Sequence, residues 1–291
     1  MIRNILTRRF YGIKICSSML RKCGENMRVG LAQLNIIWED KMSNLSHCEK
    51  ILKIAQEKKI DMVLFPEMTL TGFSMETDKT KDNIDTIGQV NNLSKKYNLA
   101  IGMGYVKKED SLAENHYALI NEDEVLFDYV KLHPFSFAKE DKYFKGGDKL
   151  VSAQFKEFTL SCGICYDLRF PEIFQVMSKK AEFIMVPANW PGRRREHFIT
   201  LLKARAIENQ CYIAGINCVG EIGGLNYLGD TCLYNPNGDL VLPIEEIYTS
   251  SLCEDEKILI YEIENNIEEI RSGFPVKKDR IEELYMHLYK S

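Results

Sequence analysis

Apolar and polar positions along the chain change period several times, and each change marks an element. Residues 27–34 alternate toward an apolar strand. Residues 44–57 repeat at helical spacing, with Leu45, Ile51, Leu52 and Ile54 on the apolar side. A short apolar run, 61–65, stops at Pro66, which cannot donate to a sheet ladder. Residues 84–96 predict a second helix, and 100–106, 117–121 and 125–132 predict consecutive strands. A polar, Lys- and Gly-rich loop is expected over 137–149. Phe158, Leu160, Cys162 and Ile164 then alternate with period two, a strand over 158–164. Pro171 suits a first helical position and starts a helix to about 178. Residues 183–186 read as a buried strand, 196–209 as a long helix, and 211–218, 231–234 and 258–263 as further strands. Asn235-Pro236-Asn237-Gly238 is a hairpin turn. Helices alternate with strands early and hairpins come late. That order predicts one α/β domain with a mixed sheet or two packed sheets. No internal repeat or low-complexity linker divides it.

At 291 residues, 45% hydrophobic and 27% charged, the chain can bury a large core. No run of 18 apolar residues is present, so no membrane-spanning helix is expected. A net charge of −4 argues against a nucleic-acid partner. The charge is uneven. Residues 1–26 hold Arg3, Arg8, Arg9, Lys14, Arg21 and Lys22 against one acid, Glu25, so the remainder is more acidic than the total suggests. An Arg-bearing, acid-poor start fits an organelle presequence, but its apolar residues are sparse and Met27 opens the first clear strand. We therefore expect 1–26 to be an N-terminal extension, disordered or preceding the true start, and 27–291 to be the folded domain. Nine cysteines lack the spacing of a disulfide framework, so reduced thiols and a cytoplasmic location are expected.

Three segments place a reactive residue just after a strand: Glu67 in Phe65-Pro66-Glu67-Met68, Lys131 in Tyr129-Val130-Lys131-Leu132, and Cys165 in Gly163-Ile164-Cys165-Tyr166. Ligands of α/β folds gather at the carboxyl ends of strands. If the three strands are parallel neighbours, a carboxylate, an ammonium and a thiol converge. That trio suffices for amide hydrolysis. A free thiol titrates near 8.5 and a free carboxylate near 4.3, so moving the thiol proton to Glu67 is uphill by roughly 5–6 kcal/mol. A neighbouring ammonium favours the thiolate, and burial raises a carboxyl pKa, so both narrow the gap. The thiolate of Cys165 would attack the amide carbon, with Lys131 and the backbone N–H of Tyr166 stabilising the oxyanion. Glu67 would then return the proton to departing ammonia and activate water.

The motifs FPEM (65–68), YVKLHPF (129–135), GICYDLRFPE (163–172) and LLKARAIENQ (201–210) make the chain resemble the nitrilase superfamily of carbon–nitrogen hydrolases, from about residue 27 to about 284. The resemblance implies a four-layer α–β–β–α sandwich with two mixed sheets, assembled as a homodimer or larger homo-oligomer. It places the family's catalytic Glu, Lys and Cys on Glu67, Lys131 and Cys165. A second active-site Glu falls on Glu140, which would hold Lys131 and orient the substrate amide. Tyr166-Asp167 follows the nucleophile where nitrilases proper carry Trp-Glu, so the amidase branches match better. Ala188-Asn189-Trp190-Pro191, Arg193–Arg195, His197, the run 227–231 and Phe274-Pro275 are similar to bacterial ω-amidases, which act on 2-oxoglutaramate and 2-oxosuccinamate. Phe198 and Thr231 depart from that pattern, where relatives have Trp and Ser. Such a substrate ends in a carboxylate and needs a cation. Arg193, Arg194, Arg195 and Lys139 are the candidates, the arginines because positive charge at a helix start asks for compensation. Asn189 and Trp190, ending the strand after the nucleophile helix, are expected pocket walls.

Other signals point elsewhere and carry less. Cys162-Gly163-Ile164-Cys165 is a C-x-x-C, but redox dithiols open helices and Cys162 sits mid-strand beside Leu160 and Ile164. The five histidines lie in unrelated segments without ligand spacing, so no metal and no other cofactor is expected. His133 is expected to be structural. Two alternatives stay open: an N-carbamoyl-amine or other amide hydrolase of the same fold, and a non-catalytic member used for interaction. Presence of the full residue set argues against the second.

Overall fold

The structure, a computed structural model, describes residues 26–250 and 253–291. The extension expected over 1–26 therefore lies, but for Asn26, outside the described residues. The first half runs β1 (Met27–Gln33), α1 (Lys41–Glu57), β2 (Met62–Leu64), α2 (Thr77–Thr80), α3 (Thr86–Tyr97), β3 (Ala100–Lys107), β4 (Glu114–Asn121), β5 (Glu124–Val130), β6 (Ala153–Phe155) and β7 (Phe158–Cys162). Next come α4 (Pro171–Met177), β8 (Phe183–Ala188), α5 (Arg195–Asn209), β9 (Tyr212–Asn217), β10 (Val219–Ile222), β11 (Leu225–Leu228), β12 (Cys232–Tyr234) and β13 (Leu240–Val241). The chain ends with β14 (Glu245–Tyr248), β15 (Lys257–Ile263), α6 (Ile267–Gly273) and α7 (Glu282–Leu288).

The strands form two large mixed sheets. One has the order β14-β15-β1-β2-β3-β4-β5 and the other β13-β12-β9-β8-β7-β6, with β10-β11 a separate hairpin. Parallel pairing joins β1, β2 and β3 in the first sheet and β7, β8 and β9 in the second. Alternation decides which layer each side chain joins. Met62 and Leu64 enter the core between the sheets, while Val63 and Phe65 face the helical layer of α1 and α3. In the second sheet Phe183 and Met185 point inward, and Ile184, Val186 and Ala188 meet α4 and α5. Each fully buried apolar side chain contributes about 1.5–3 kcal/mol, so a one-residue slip of a central strand would be prohibitive. The result is the four-layer α–β–β–α sandwich with two mixed sheets.

Element ends differ from the sequence reading by a few residues where caps intervene. Helix α1 starts at Lys41, three residues early, because the Asp40 side chain accepts from Ser43 N at 3.1 Å. The loop expected over 137–149 contains two short 3₁₀ turns, Ser136–Ala138 and Glu140–Lys142. One expectation needs correction. The strands carrying Glu67, Lys131 and Cys165 are not parallel neighbours. Strands β2 and β5 are separated by β3 and β4, and β7 lies in the opposite sheet. Two antiparallel steps from β3 turn β5 back to the direction of β2, so both ends still point to one edge of the sandwich. Among the described residues no helix is long and apolar enough to cross a membrane.

Candidate active site

Glu67 sits in the turn after β2, where Met68 adopts a left-handed φ of 43°. Close passage of β3 holds that turn: a Cβ on Gly104 would lie 2.4 Å from Met68 N, so only glycine fits there. The Glu67 carboxylate is fully buried. Its Oε1 accepts from Lys131 Nζ at 2.9 Å and Asn115 Nδ2 at 2.8 Å, and its Oε2 accepts from Asn189 N at 2.9 Å. Lys131 is the first residue beyond β5, its N–H still bonded to Asn115 O. Its ammonium also donates to both Glu140 oxygens, at 3.1 and 2.9 Å. Glu140 is buried in the second 3₁₀ turn and further accepts from Phe135 N at 2.5 Å. Two carboxylates thus share one cation away from solvent, a geometry in which removing a partner is costly.

Cys165 opens a 3₁₀ turn, Cys165–Arg169, directly after β7. It holds a φ of 46°, a strained conformation for a non-glycine residue that points its thiol off the sheet end. Asp167 fixes this turn. Fully buried, it accepts from Ile164 N at 2.9 Å and Tyr129 OH at 2.8 Å through one oxygen. The other oxygen meets His133 N at 3.0 Å and His133 Nδ1 at 2.7 Å. Tyr129 and His133 flank Lys131, so one carboxylate ties the cysteine turn to the lysine segment across the two sheets. His133 is structural in this sense, and it stacks on Phe170 at 3.8 Å. The N–H of Tyr166, near the start of the 3₁₀ turn, has no intrahelical partner and is available to an oxyanion.

Burial, with the Glu67 charge adding to it and Lys131 opposing, pushes the Cys165 thiol well above its ordinary range. Burial pulls the Lys131 ammonium down, but Glu140 and Glu67 overcome it and hold the group charged. The lysine does favour the thiolate, as expected, yet the net shift is upward. That direction favours the protonated thiol over the thiolate. Burial also raises the Glu140 carboxyl, against the pull of Lys131.

A pocket of about 70 Å³ opens above the cysteine, with Lys131, Cys165, Tyr166, Asn189 and Trp190 in its wall. Asn189 does more than line it: its side-chain amide donates to Glu67 O at 2.6 Å and joins the two sheets. Asn217 amide groups clasp Trp190 N and O and also Gly229 O, so the wall and the β10–β11 hairpin are held together. Of the candidate cations, Arg193 and Arg194 line the pocket. Arg195 does not; it pairs with Asp230 at 2.6 Å, which answers its charge at the helix start. Lys139 is exposed and also lies outside the pocket wall. Arg169, which the sequence did not offer as a candidate cation, lines the pocket as well, packed 4.7 Å over the Trp190 ring. Burial and the charges of Arg193 and Arg169 make Arg194 hold its proton less tightly. Among the described residues none of these three arginines pairs with a carboxylate.

Sequence reasoning also missed Asn115, Asp167 and Asn217. Asp167 stood inside a recognised motif, but the other two gave no local signal. Cys162 is fully buried with Leu160 and Ile164 between the sheets, and both it and Cys165 are free thiols. No group of three metal-binding side chains occurs among the described residues.

The sequence profile of the carbon–nitrogen hydrolase family matches residues 28–271. The chain is 31% identical over 217 residues to the Omega-amidase YafV of Escherichia coli strain K12, covering 74% of this chain and 84% of that protein. It is 28% identical to the 2-oxoglutaramate amidase of Bacillus subtilis, over 88% of this chain and 98% of the relative. The crystal structure of XC1258 from Xanthomonas campestris, a CN-hydrolase superfamily protein, superposes with a TM-score of 0.79 at 28% identity, covering 88% of this chain and 97% of that one.

Proposed function

Because this chain belongs to the carbon–nitrogen hydrolase family and is an amidase of the nitrilase superfamily, we propose that it is an ω-amidase, which hydrolyses the terminal carboxamide of a short 2-oxo acid through a thioester on Cys165. The observation that carries this reading is one pocket lined both by a thiol beside an ammonium and by arginines without an acidic partner. Cys165, Lys131, Arg169, Arg193 and Arg194 all line it, and the three arginines have no acidic partner among the described residues. A substrate with an amide at one end and a carboxylate at the other fits that polarity. The names of the Escherichia coli and Bacillus subtilis relatives support the same class.

In this reading one proton moves between sulfur, Glu67 and the leaving nitrogen. Glu67 takes the thiol proton as sulfur bonds to the amide carbon. The carbonyl oxygen becomes an oxyanion held by Lys131 and the Tyr166 N–H. Glu67 passes its proton to the amide nitrogen, the C–N bond breaks and ammonia leaves. Water then enters, loses a proton to Glu67 and attacks the thioester. Carboxylate product departs and the proton returns to sulfur. Glu140 keeps Lys131 in place throughout, and Asn189 and Trp190 wall the substrate. Cytoplasmic action accords with the free thiols of the seven described cysteines. A homodimer or larger assembly would cover apolar residues exposed near the C-terminus, such as Ile281, Met286 and Leu288.

An ammonia-release screen over ω-amides, nitriles and N-carbamoyl amino acids tests this reading, with Cys165→Ala as control. We expect 2-oxo ω-amides to be cleaved best and the variant to be inactive. Preferred cleavage of N-carbamoyl compounds, or full activity in Cys165→Ala, would overturn it.

A further inference from the structure

Tyr227 lies on β11 opposite Gly220 of β10, and with Leu225 it forms part of the pocket wall. Its side chain is only 2% exposed. Leaving a buried phenol unpaired is unfavourable, and buried tyrosine hydroxyls ordinarily find partners. Three other buried tyrosines here do: Tyr117 donates to Phe65 O at 2.9 Å, Tyr129 to Asp167 at 2.8 Å and Tyr105 to Asp128 at 2.9 Å. The Tyr227 hydroxyl has no hydrogen-bond partner among the described residues, and it is not one of the fully enclosed unpaired polar atoms, so it keeps access to the pocket that Tyr227 lines.

The rest of the pocket wall leaves one part of the substrate to this hydroxyl. Burial, then the nearby Cys218, Cys165 and Glu67, raise its ionisation while Arg193 opposes, so the group stays a neutral O–H donor. It shares the pocket wall with Cys165 and with Arg193 and Arg194. The oxyanion already has Lys131 and the Tyr166 N–H, and the carboxylate has the arginines. What lacks a partner is the middle of the substrate.

We propose that the Tyr227 hydroxyl donates a hydrogen bond to the 2-oxo oxygen of the substrate and selects for amides that carry an oxygen there. This rests on the ω-amidase reading above. A substrate without that oxygen leaves Tyr227 unpaired in the closed complex, which is the strongest form of discrimination a polar pocket has.

The test compares 2-oxosuccinamate with succinamate, equal in length and differing only in the oxo group. Ammonia release is measured for the wild type and Tyr227→Phe, which keeps the ring and the packing. For the wild type we expect kcat/KM at least about tenfold higher on the oxo substrate, as one hydrogen bond implies. In Tyr227→Phe this ratio should collapse toward one. A ratio retained in the variant overturns the proposal, whether both activities fall together or neither falls. Equal cleavage of the two amides by the wild type also overturns it, and leaves the ω-amidase reading standing. A wild type that cleaves neither amide defeats the ω-amidase reading itself, and the Tyr227 assignment with it.

Discussion

Replacing Glu140 by Gln separates two effects that a simple loss of fit would not separate. Oε2 accepts from Lys131 Nζ and Phe135 N, and Oε1 accepts from Lys131 Nζ and Asn115 Nδ2. However the glutamine amide is turned, its NH₂ faces two donors. One charge-assisted bond, about 1.5–3 kcal/mol, and one neutral bond, about 0.5–1.5 kcal/mol, are lost either way. Lys131 keeps Glu67, so it is not stranded, and the stability loss should be about 2–4 kcal/mol in urea unfolding. The ammonium also shifts, and kcat for amide hydrolysis should fall about 10- to 100-fold. The thiol should respond in the opposite sense. Glu140 is one of the charges that raise Cys165. Without it, thiolate becomes easier to form, and alkylation by iodoacetamide at fixed pH should speed up. A variant with wild-type kcat, or with slower alkylation than the wild type, would refute the assignment of Glu140 as the holder of Lys131.

Asp167→Asn meets the same difficulty, because both oxygens of Asp167 face donors. We expect about 2–4 kcal/mol lost in urea unfolding and a kcat lowered with KM little changed, and wild-type values for both would contradict its positioning role. Arg193→Ala or Arg194→Ala should raise KM about tenfold or more for amides ending in a carboxylate, and leave hydrolysis of an uncharged amide such as propionamide nearly as before. Arg195→Ala and Lys139→Ala should leave KM unchanged in the same assay. Burial, then the charge of Arg271, lowers the Lys277 pKa from 10.5 to about 8. Between those values the unfolded chain binds more protons than the folded one, so this group makes stability rise with pH. Discounted for its partial exposure, wild type should gain about 1–2 kcal/mol relative to Lys277→Met across that window, and parallel stability curves would exclude it.

Glu67, Lys131 and Cys165 were legible as candidates because each interrupts or ends an apolar run. Their convergence was legible only in outline. Cys165 comes from the opposite sheet, and Asn189, which joins Glu67 to that sheet, is 122 residues away from it. Asn115 and Asn217 act through bonds across layers, so nothing in their own neighbourhoods announces them, and the motif around Asp167 did not show the bonds it makes to Tyr129 and His133. Three adjacent arginines could not be told apart by spacing. The phase of the turn decides that Arg193 and Arg194 border the pocket while Arg195 meets Asp230. The strands β6, β10, β11, β13 and β14 escaped notice because two to four residues do not establish a period. The β10–β11 hairpin brings Tyr227 to the pocket, so its absence from the sequence reading hid a wall of the site.

Intact-protein mass spectrometry of enzyme quenched during turnover of 2-oxosuccinamate tests the thioester on Cys165 directly. We expect a covalent adduct with the mass of the substrate less ammonia, mapped to the peptide containing Cys165 and absent from Cys165→Ala. Turnover by Cys165→Ala, or an adduct mapped to any other residue, would contradict it.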